Sequence, residues 1–139
     1  MFYDLPIAEY GDINYKINKK YCDRHNIDII CEHEKMHLNR HSAWERLPLI
    51  LKHIDNYDYI IWIDADAFFY YNERNICEII KEHFNENINF IFSKDINCTG
   101  NDDINTGFFI VKNTQFSKDF INKWSFDEEL YNSNPYPKW

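Results

Sequence analysis

Glycine is scarce in this chain: three residues in 139, beside four prolines and four cysteines. So few breakers leave no room for a Gly/Ser-rich or Pro-rich linker, and disordered or low-complexity readings fail with them. Cys22, Cys31, Cys77 and Cys98 form no CxxC pair, which removes zinc ribbons and dithiol redox motifs and leaves reduced, partly buried thiols as the expectation. No apolar run approaches the roughly 18 residues of a membrane span, and Met1 is followed by no basic-then-apolar leader pattern. Basic residues number 15 against 23 acidic ones, a net charge of -8 with no basic stripe, so nucleic acid and anionic membranes are not expected partners. A phosphate-bearing ligand would need a cation between itself and such a chain. The triplet Asn97-Cys98-Thr99 has the form of a glycosylation acceptor, a pattern that chance supplies often in an Asn-rich sequence.

What is present is core material. With 45% hydrophobic and 18% aromatic residues, the chain can build one domain over residues 1–139. Ile13, Ile17 and Tyr21 recur at helical spacing after a candidate N-cap, Asp12, which predicts a helix to about His25. Ile27–Cys31 reads as a short strand. Ser42-Ala43-Trp44-Glu45 has capping-box form ahead of a second helix with Leu47, Ile50, Leu51 and Ile54 on one face, and Pro48 predicts an irregular early turn. Tyr59-Ile60-Ile61-Trp62-Ile63 suits a strand covered on both faces. A helix over Asn75–Phe84 is expected to bury Ile76, Ile79, Ile80 and Phe84. Strands at Phe90–Phe92 and Gly107–Val111 follow, then a helix over Thr114–Trp124 presenting Phe116, Phe120 and Trp124. This alternation predicts an α/β fold with a mainly parallel sheet, helices on both faces and ligands outside the carboxyl ends of the strands.

At the end of the 59–63 strand stands Asp64-Ala65-Asp66. With 13 aspartates in the chain a DxD triplet is expected about once by chance, so its flanks carry the signal. Two carboxylates sit between Tyr59–Ile63 and Ala67-Phe68-Phe69-Tyr70-Tyr71, where burying them unpaired would cost several kcal/mol each. A cation or strong donors should be nearby. Residues i and i+2 of an ideal strand lie about 7 Å apart, too far to clasp one Mg²⁺ whose opposite ligands are about 4 Å apart. The chain is therefore expected to turn at Ala65, with Asp66 as direct ligand and Asp64 reaching a ribose or the ion's water shell. The bland alternative is a pair of aspartates capping a turn.

The run Tyr57-Asp58-Tyr59-Ile60-Ile61-Trp62-Ile63-Asp64-Ala65-Asp66-Ala67-Phe68-Phe69 resembles the GT-A fold glycosyltransferases of the galactosyl-, mannosyl- and xylosyltransferase family of yeast Golgi and plant xyloglucan synthesis. Three further segments agree in order and spacing: Asn18-Lys19-Lys20-Tyr21-Cys22 with His25, Trp44-Glu45-Arg46-Leu47-Pro48-Leu49-Ile50, and Asn105-Thr106-Gly107-Phe108-Phe109-Ile110-Val111-Lys112-Asn113. The resemblance implies a Rossmann-like GT-A sheet, transfer with retention from a UDP- or GDP-sugar to a glycan or glycoprotein acceptor, and Mn²⁺ or Mg²⁺ bridging the diphosphate to Asp64 and Asp66. It places Arg46 at a basic position that family members commonly fill with Lys, and Asn105, Thr106 and Gly107 in a loop near the donor sugar. Members are usually anchored in Golgi membranes, although this chain carries no membrane segment.

Each of these residues has an ordinary alternative. Arg46, about a turn into its helix, can fork onto phosphate oxygens or simply be solvated. Gly107 can admit a ligand close to the backbone or complete a plain Asn-Thr-Gly turn. Asp95, past the 90–92 strand, can bond donor hydroxyls or face solvent. His33, His37 and His41 at four-residue spacing mimic a helical metal site, but their stretch lacks an apolar stripe, which favours three surface histidines.

Against the family pattern, only Met1-Phe2-Tyr3 represents the first strand, and Asn134–Trp139 stops before the acceptor segment and a downstream metal-binding His. An incomplete, partial transferase domain is therefore the expectation. Two other functions remain open: a nucleotide-sugar or glycan binding pseudoenzyme without turnover, and, more remotely, a phosphohydrolase using Asp64 as nucleophile.

Overall fold

The computed structural model describes residues 1–37, 39–70, 73–95 and 104–132. The Asn97-Cys98-Thr99 triplet and the Asn134–Trp139 tail lie outside them. After a short 3-10 turn at Leu5–Ile7 come helix α1 (Ala8–His25), a 3-10 turn at Ser42–Glu45, α2 (Arg46–His53) and a further 3-10 turn at Ile54–Asn56. Strand β1 (Tyr59–Ile63), α3 (Ile76–His83), β2 (Phe90–Lys94), β3 (Ile104–Lys112), α4 (Gln115–Phe126) and α5 (Glu128–Asn132) complete the order.

The strands stand in the order β1-β3-β2, and both ladders are antiparallel. This corrects the mainly parallel sheet expected from strand–helix alternation. The alternation does set β1 and β2 parallel to one another, as a helical crossover should, but β3 returns between them and pairs antiparallel with each. The predicted strand over Ile27–Cys31 is also absent; its neighbourhood holds only a parallel bridge between Phe2 and Glu32. Met1 N–H donates to Ile30 O, Glu32 N–H to Met1 O and Tyr3 N–H to Glu32 O, and nothing among the described residues continues the ladder beside Ile27–Ile29.

Side chains alternate across the sheet, and both faces are covered. Trp62, Phe109 and Val111 pack with Leu47, Ile50 and Ile54 from the α2 region and Ile121 of α4. On the other face Ile110 meets Tyr21 and Cys22 of α1 and Ile76 and Ile80 of α3. Helices on both faces are thus as the sequence predicts.

Two helices bury only part of their predicted stripes: Tyr21 of α1 is buried and Trp124 of α4 packs against the core, while the other positions face outward. Ile13 and Ile17 of α1 are 53% and 37% exposed, and Phe116 and Phe120 of α4 are 60% and 45% exposed. Buried instead are Asn18, Ser117 and Ser125, each with a partner: Asn18 with Ala67 O, Ser117 with Thr114, and Ser125 with His37. Polar residues tolerate burial when hydrogen-bonded, so these groups share the inward faces with Tyr21, Cys22 and Ile121. Glu45 behaves likewise. Rather than closing a capping box, its buried carboxylate accepts from the N–H groups of Met36 and His37 at 2.7 and 2.8 Å, and His41 caps the 3-10 turn.

Candidate functional site

The carboxyl end of β1 builds the site. Asp64 N–H donates to Gly107 O at 2.8 Å, which extends the β1–β3 pairing by one residue, and Ala67 N–H donates to Asp64 O at 3.1 Å, which closes a turn over Ala65 and Asp66. The turn expected at Ala65 is therefore present. Trp62 and Asp64, two residues apart on one strand face, are joined by an indole Nε1–H bond to Oδ1 at 2.7 Å.

Arg46 crosses from the start of α2. Its Nε–H donates to Ala43 O at 2.7 Å, and one NH group donates to both the carbonyl and the hydroxyl of Thr106, at 2.5 and 2.7 Å. Its other terminal nitrogen lies 3.5 Å from Asp64 Oδ2. The guanidinium also stands over the Trp62 ring, 6.0 Å from its centroid. Burial lowers the Arg46 pKa from its ordinary value, opposed by the charges of Asp64 and Asp66. Burial likewise raises Asp64, against the pull of Arg46 and the Trp62 N–H bond.

A break in the β2–β3 register makes Thr106 available. Phe92 pairs with Phe109 but Ser93 pairs with Asn105, so residues 106–108 bow out of the β2 ladder, while Phe108 still pairs with Ile63 of β1 and Gly107 O accepts from Asp64 N–H. Ser93 Oγ–H fills the gap by donating to Phe108 O at 2.7 Å. Asn105 Oδ1 accepts from Gly107 N–H at 2.8 Å. Gly107 has no space to spare: a Cβ there would lie 3.0 Å from both Asp64 Oδ2 and Asn105 Oδ1.

Above these groups is a cleft of about 240 Å³ lined by Arg46, Trp62, Asp64, Ala65, Asp66, Tyr10 and Tyr3, among others. Asp66 is exposed and bonds to no side chain among the described residues, whereas Asp64 is engaged. Of the residues predicted from sequence, Arg46, Asp64, Ala65 and Asp66 line the cleft; Thr106 and Gly107 support it from behind; Asn105 reaches it only through Gly107. Asp95 is not among the lining residues. The three spaced histidines separate, as expected of a non-helical stretch: His33 bonds Tyr3 O, His37 bonds Ser125, and His41 accepts from Ala43 N–H.

Trp62, Asn14 and Asn18 also build the site; Trp62 and Asn18 stand in the matching segments without an assigned role, and Asn14 in none. Trp62 carried the same i, i+2 signal that was applied to the two aspartates. Asn14 Nδ2 donates to Ala65 O at 2.8 Å and Asn18 Nδ2 to Ala67 O at 3.0 Å, both on the turn segment. Their four-residue spacing on α1 was the available clue.

No cluster of three or more His, Cys, Asp or Glu side chains suited to a metal occurs among the described residues. The donor set is one free carboxylate and one engaged carboxylate at the rim of a cleft. That set fits a hard cation whose remaining positions are taken by ligand oxygens and water, and does not fit a closed all-protein metal cage.

A family model described as "Protein of unknown function, DUF273" matches residues 15–135. The chain is 28% identical over 129 residues to galactomannan galactosyltransferase 1 of Cyamopsis tetragonoloba, covering 86% of this chain and 28% of that protein. It is 29% identical over 131 residues to xyloglucan 6-xylosyltransferase 4 of Arabidopsis thaliana, covering 88% of this chain and 25% of that protein. The chain thus spans about a quarter of the length of these relatives. In fold it is similar to a crystal structure of a glycosyltransferase involved in the glycosylation of the major capsid of PBCV-1, with a TM-score of 0.77 at 18% identity, over 97% of this chain and 68% of that one.

Proposed function

The chain belongs to the DUF273 family, and from that premise we propose that it forms the donor-binding core of a glycosyltransferase, one that transfers a hexose or pentose from a UDP- or GDP-sugar to a glycan. The observation that carries this reading is the exposed Asp66 carboxylate beside the engaged Asp64 at the end of β1, in a cleft whose wall holds Arg46. Similarity to galactosyl- and xylosyltransferases supports the transfer of sugar.

In this reading Asp66, with Asp64 beside it, would hold Mn²⁺ or Mg²⁺, and the bound ion would supply positive charge against the leaving nucleoside diphosphate. Asp64, held by Trp62 at Oδ1 and by Arg46 beside Oδ2, would act through the ion's water shell or a ribose hydroxyl rather than as the main ligand. Arg46 contributes positive charge to the same wall while its hydrogen bonds brace the Thr106–Gly107 backbone behind Asp64. Thr106 and Gly107, which brace the site from behind Asp64, would lie near the donor sugar, with Asn105 acting through Gly107. The acidic surface disfavours a naked diphosphate, so binding and cation are coupled.

Calorimetric titration of the chain with UDP and GDP, with Mn²⁺ and then with EDTA, tests the reading. Binding only with the cation is the expected result, and equal affinity under both conditions overturns the cation bridge. Sugar-nucleotide turnover assayed beside it separates an active transferase from a binding protein that lacks catalysis.

A further inference from the structure

The segment that leaves β1 runs along one stripe of α1. Asn14 Nδ2 donates to Ala65 O at 2.8 Å, and Asn18 Nδ2 donates to Ala67 O at 3.0 Å while its Oδ1 accepts from Phe69 N–H at 3.0 Å. Tyr21, one turn farther on, stacks on Phe69 with ring centroids 4.0 Å apart and an interplanar angle of 12°. Positions 14, 18 and 21 follow helical spacing, so a single face meets the segment at successive points. Asn18 is fully buried and has both ends of its amide engaged.

Asp66 lies between the two carbonyls that this face holds. The peptide groups of Ala65 and Ala67 have left the sheet, and without donors their oxygens would be free to rotate the turn. Fixing both flanking carbonyls fixes the direction of the bond that carries the Asp66 carboxylate. Side chains that bind ions must be held to within about 0.5 Å to be effective, and an exposed aspartate with no bonded side chain has only its backbone to provide this. Neither asparagine lines the cleft, so any influence on a ligand passes through the turn.

We propose that Asn14 and Asn18 are positioning residues for Asp66, acting as a splint that sets the cation-binding geometry of the turn without touching ligand. This rests on the cation and nucleoside diphosphate reading of the cleft. The splint acts on binding geometry as well as on stability, which separates it from ordinary packing of a helix on a loop.

The test is Asn14→Ala in the full chain, matched with Asn113→Ala. Asn113 Nδ2 donates to Tyr57 O at 3.0 Å, a bond of the same kind beyond the opposite end of β1. Alanine keeps the helical preference at position 14, so folding is retained. Free Mn²⁺ is followed by electron paramagnetic resonance as each protein is added, with and without UDP, and thermal unfolding is recorded in parallel. The expected result is a weakening of UDP-dependent Mn²⁺ binding of about tenfold in Asn14→Ala and no change in Asn113→Ala, with both melting somewhat earlier. Unchanged Mn²⁺ binding in Asn14→Ala, or equal losses in both variants, overturns the splint. A wild-type chain that takes up no Mn²⁺ with UDP overturns the proposed function itself, and the splint with it.

Discussion

The indole of Trp62 holds Asp64: its Nε1–H donates to the Asp64 Oδ1 atom at 2.7 Å across two residues of the same strand. The tryptophan is buried and packed between α2 and β3, so the carboxylate inherits its rigidity. Trp62→Phe keeps most of the ring volume and removes this one donor. The expected outcome is a loss of about 1 kcal/mol of stability in urea titration, together with a drop in cation-dependent UDP affinity greater than that loss explains.

The two aspartates should differ. Asp66→Asn is expected to lower Mn²⁺-dependent affinity for UDP more than Asp64→Asn, since a charged ligand matters most to a hard cation. Paired calorimetric titrations decide the order. Burial raises the Asp64 pKa, so its neutral form is favoured by folding, and Asp64→Asn should leave the ligand-free chain as stable as wild type or more so in thermal melts.

Gly107→Ala places a methyl group 3.0 Å from Asp64 Oδ2, in a carboxylate already confined by Arg46 beside Oδ2 and by Trp62 at Oδ1. Overpacking of this kind costs about 1–3 kcal/mol. The carboxylate should move to relieve it. A tenfold or greater loss of UDP affinity, measured with a far-ultraviolet circular dichroism spectrum unchanged from wild type, is the expected result.

Arg46 is bonded mainly to protein, so its removal should do more than weaken phosphate contacts. Arg46→Ala strips Thr106 and Asp64 of partners at once and is expected to cost about 2 kcal/mol of stability, a value scaled down for the partly exposed pair. Arg46→Lys keeps the charge but cannot fork onto Thr106. Denaturant midpoints and UDP-against-uridine affinities for both variants separate bracing from phosphate recognition: Lys should recover phosphate discrimination and only part of the stability.

Burial pushes the Cys22 thiol up to about 11 from its ordinary 9.0. Because the folded value is the higher one, this thiol's contribution is complete below pH 9 and is lost as pH climbs toward 11. Stability should therefore fall across that window in wild type and fall less in Cys22→Ala. Alkylation by iodoacetamide at pH 8 should leave Cys22 unmodified in the folded chain and label it in urea.

Much of this fold was legible where local chemistry decides it. Asn75 caps α3 and Thr114 caps α4 through their side chains, and the apolar run Tyr59–Ile63 is β1 as predicted. Strand direction was not, because a run such as Gly107–Val111 reads the same in either orientation, and only the long-range pairing places β3 between β1 and β2. The faces of α1 and α4 misled for another reason. Tyr21 and Trp124 of the two stripes do pack inward, but Ile13, Ile17, Phe116 and Phe120 stay exposed, and the hydrogen-bonded Asn18, Ser117 and Ser125 are buried. The site shows the same division. Charge inside an apolar stretch exposed Asp64 and Asp66, while the Arg46–Thr106 contact joins residues 60 positions apart and leaves no local mark.

That distance in sequence gives the cleft a history. During synthesis Arg46, Asp64 and Asp66 leave the ribosome well before Thr106 and Gly107, and until β3 arrives the Asp64 amide has no Gly107 carbonyl to meet and Arg46 no Thr106 to hold. The nascent chain therefore carries its two carboxylates on an unfinished edge until a single strand closes both ladders.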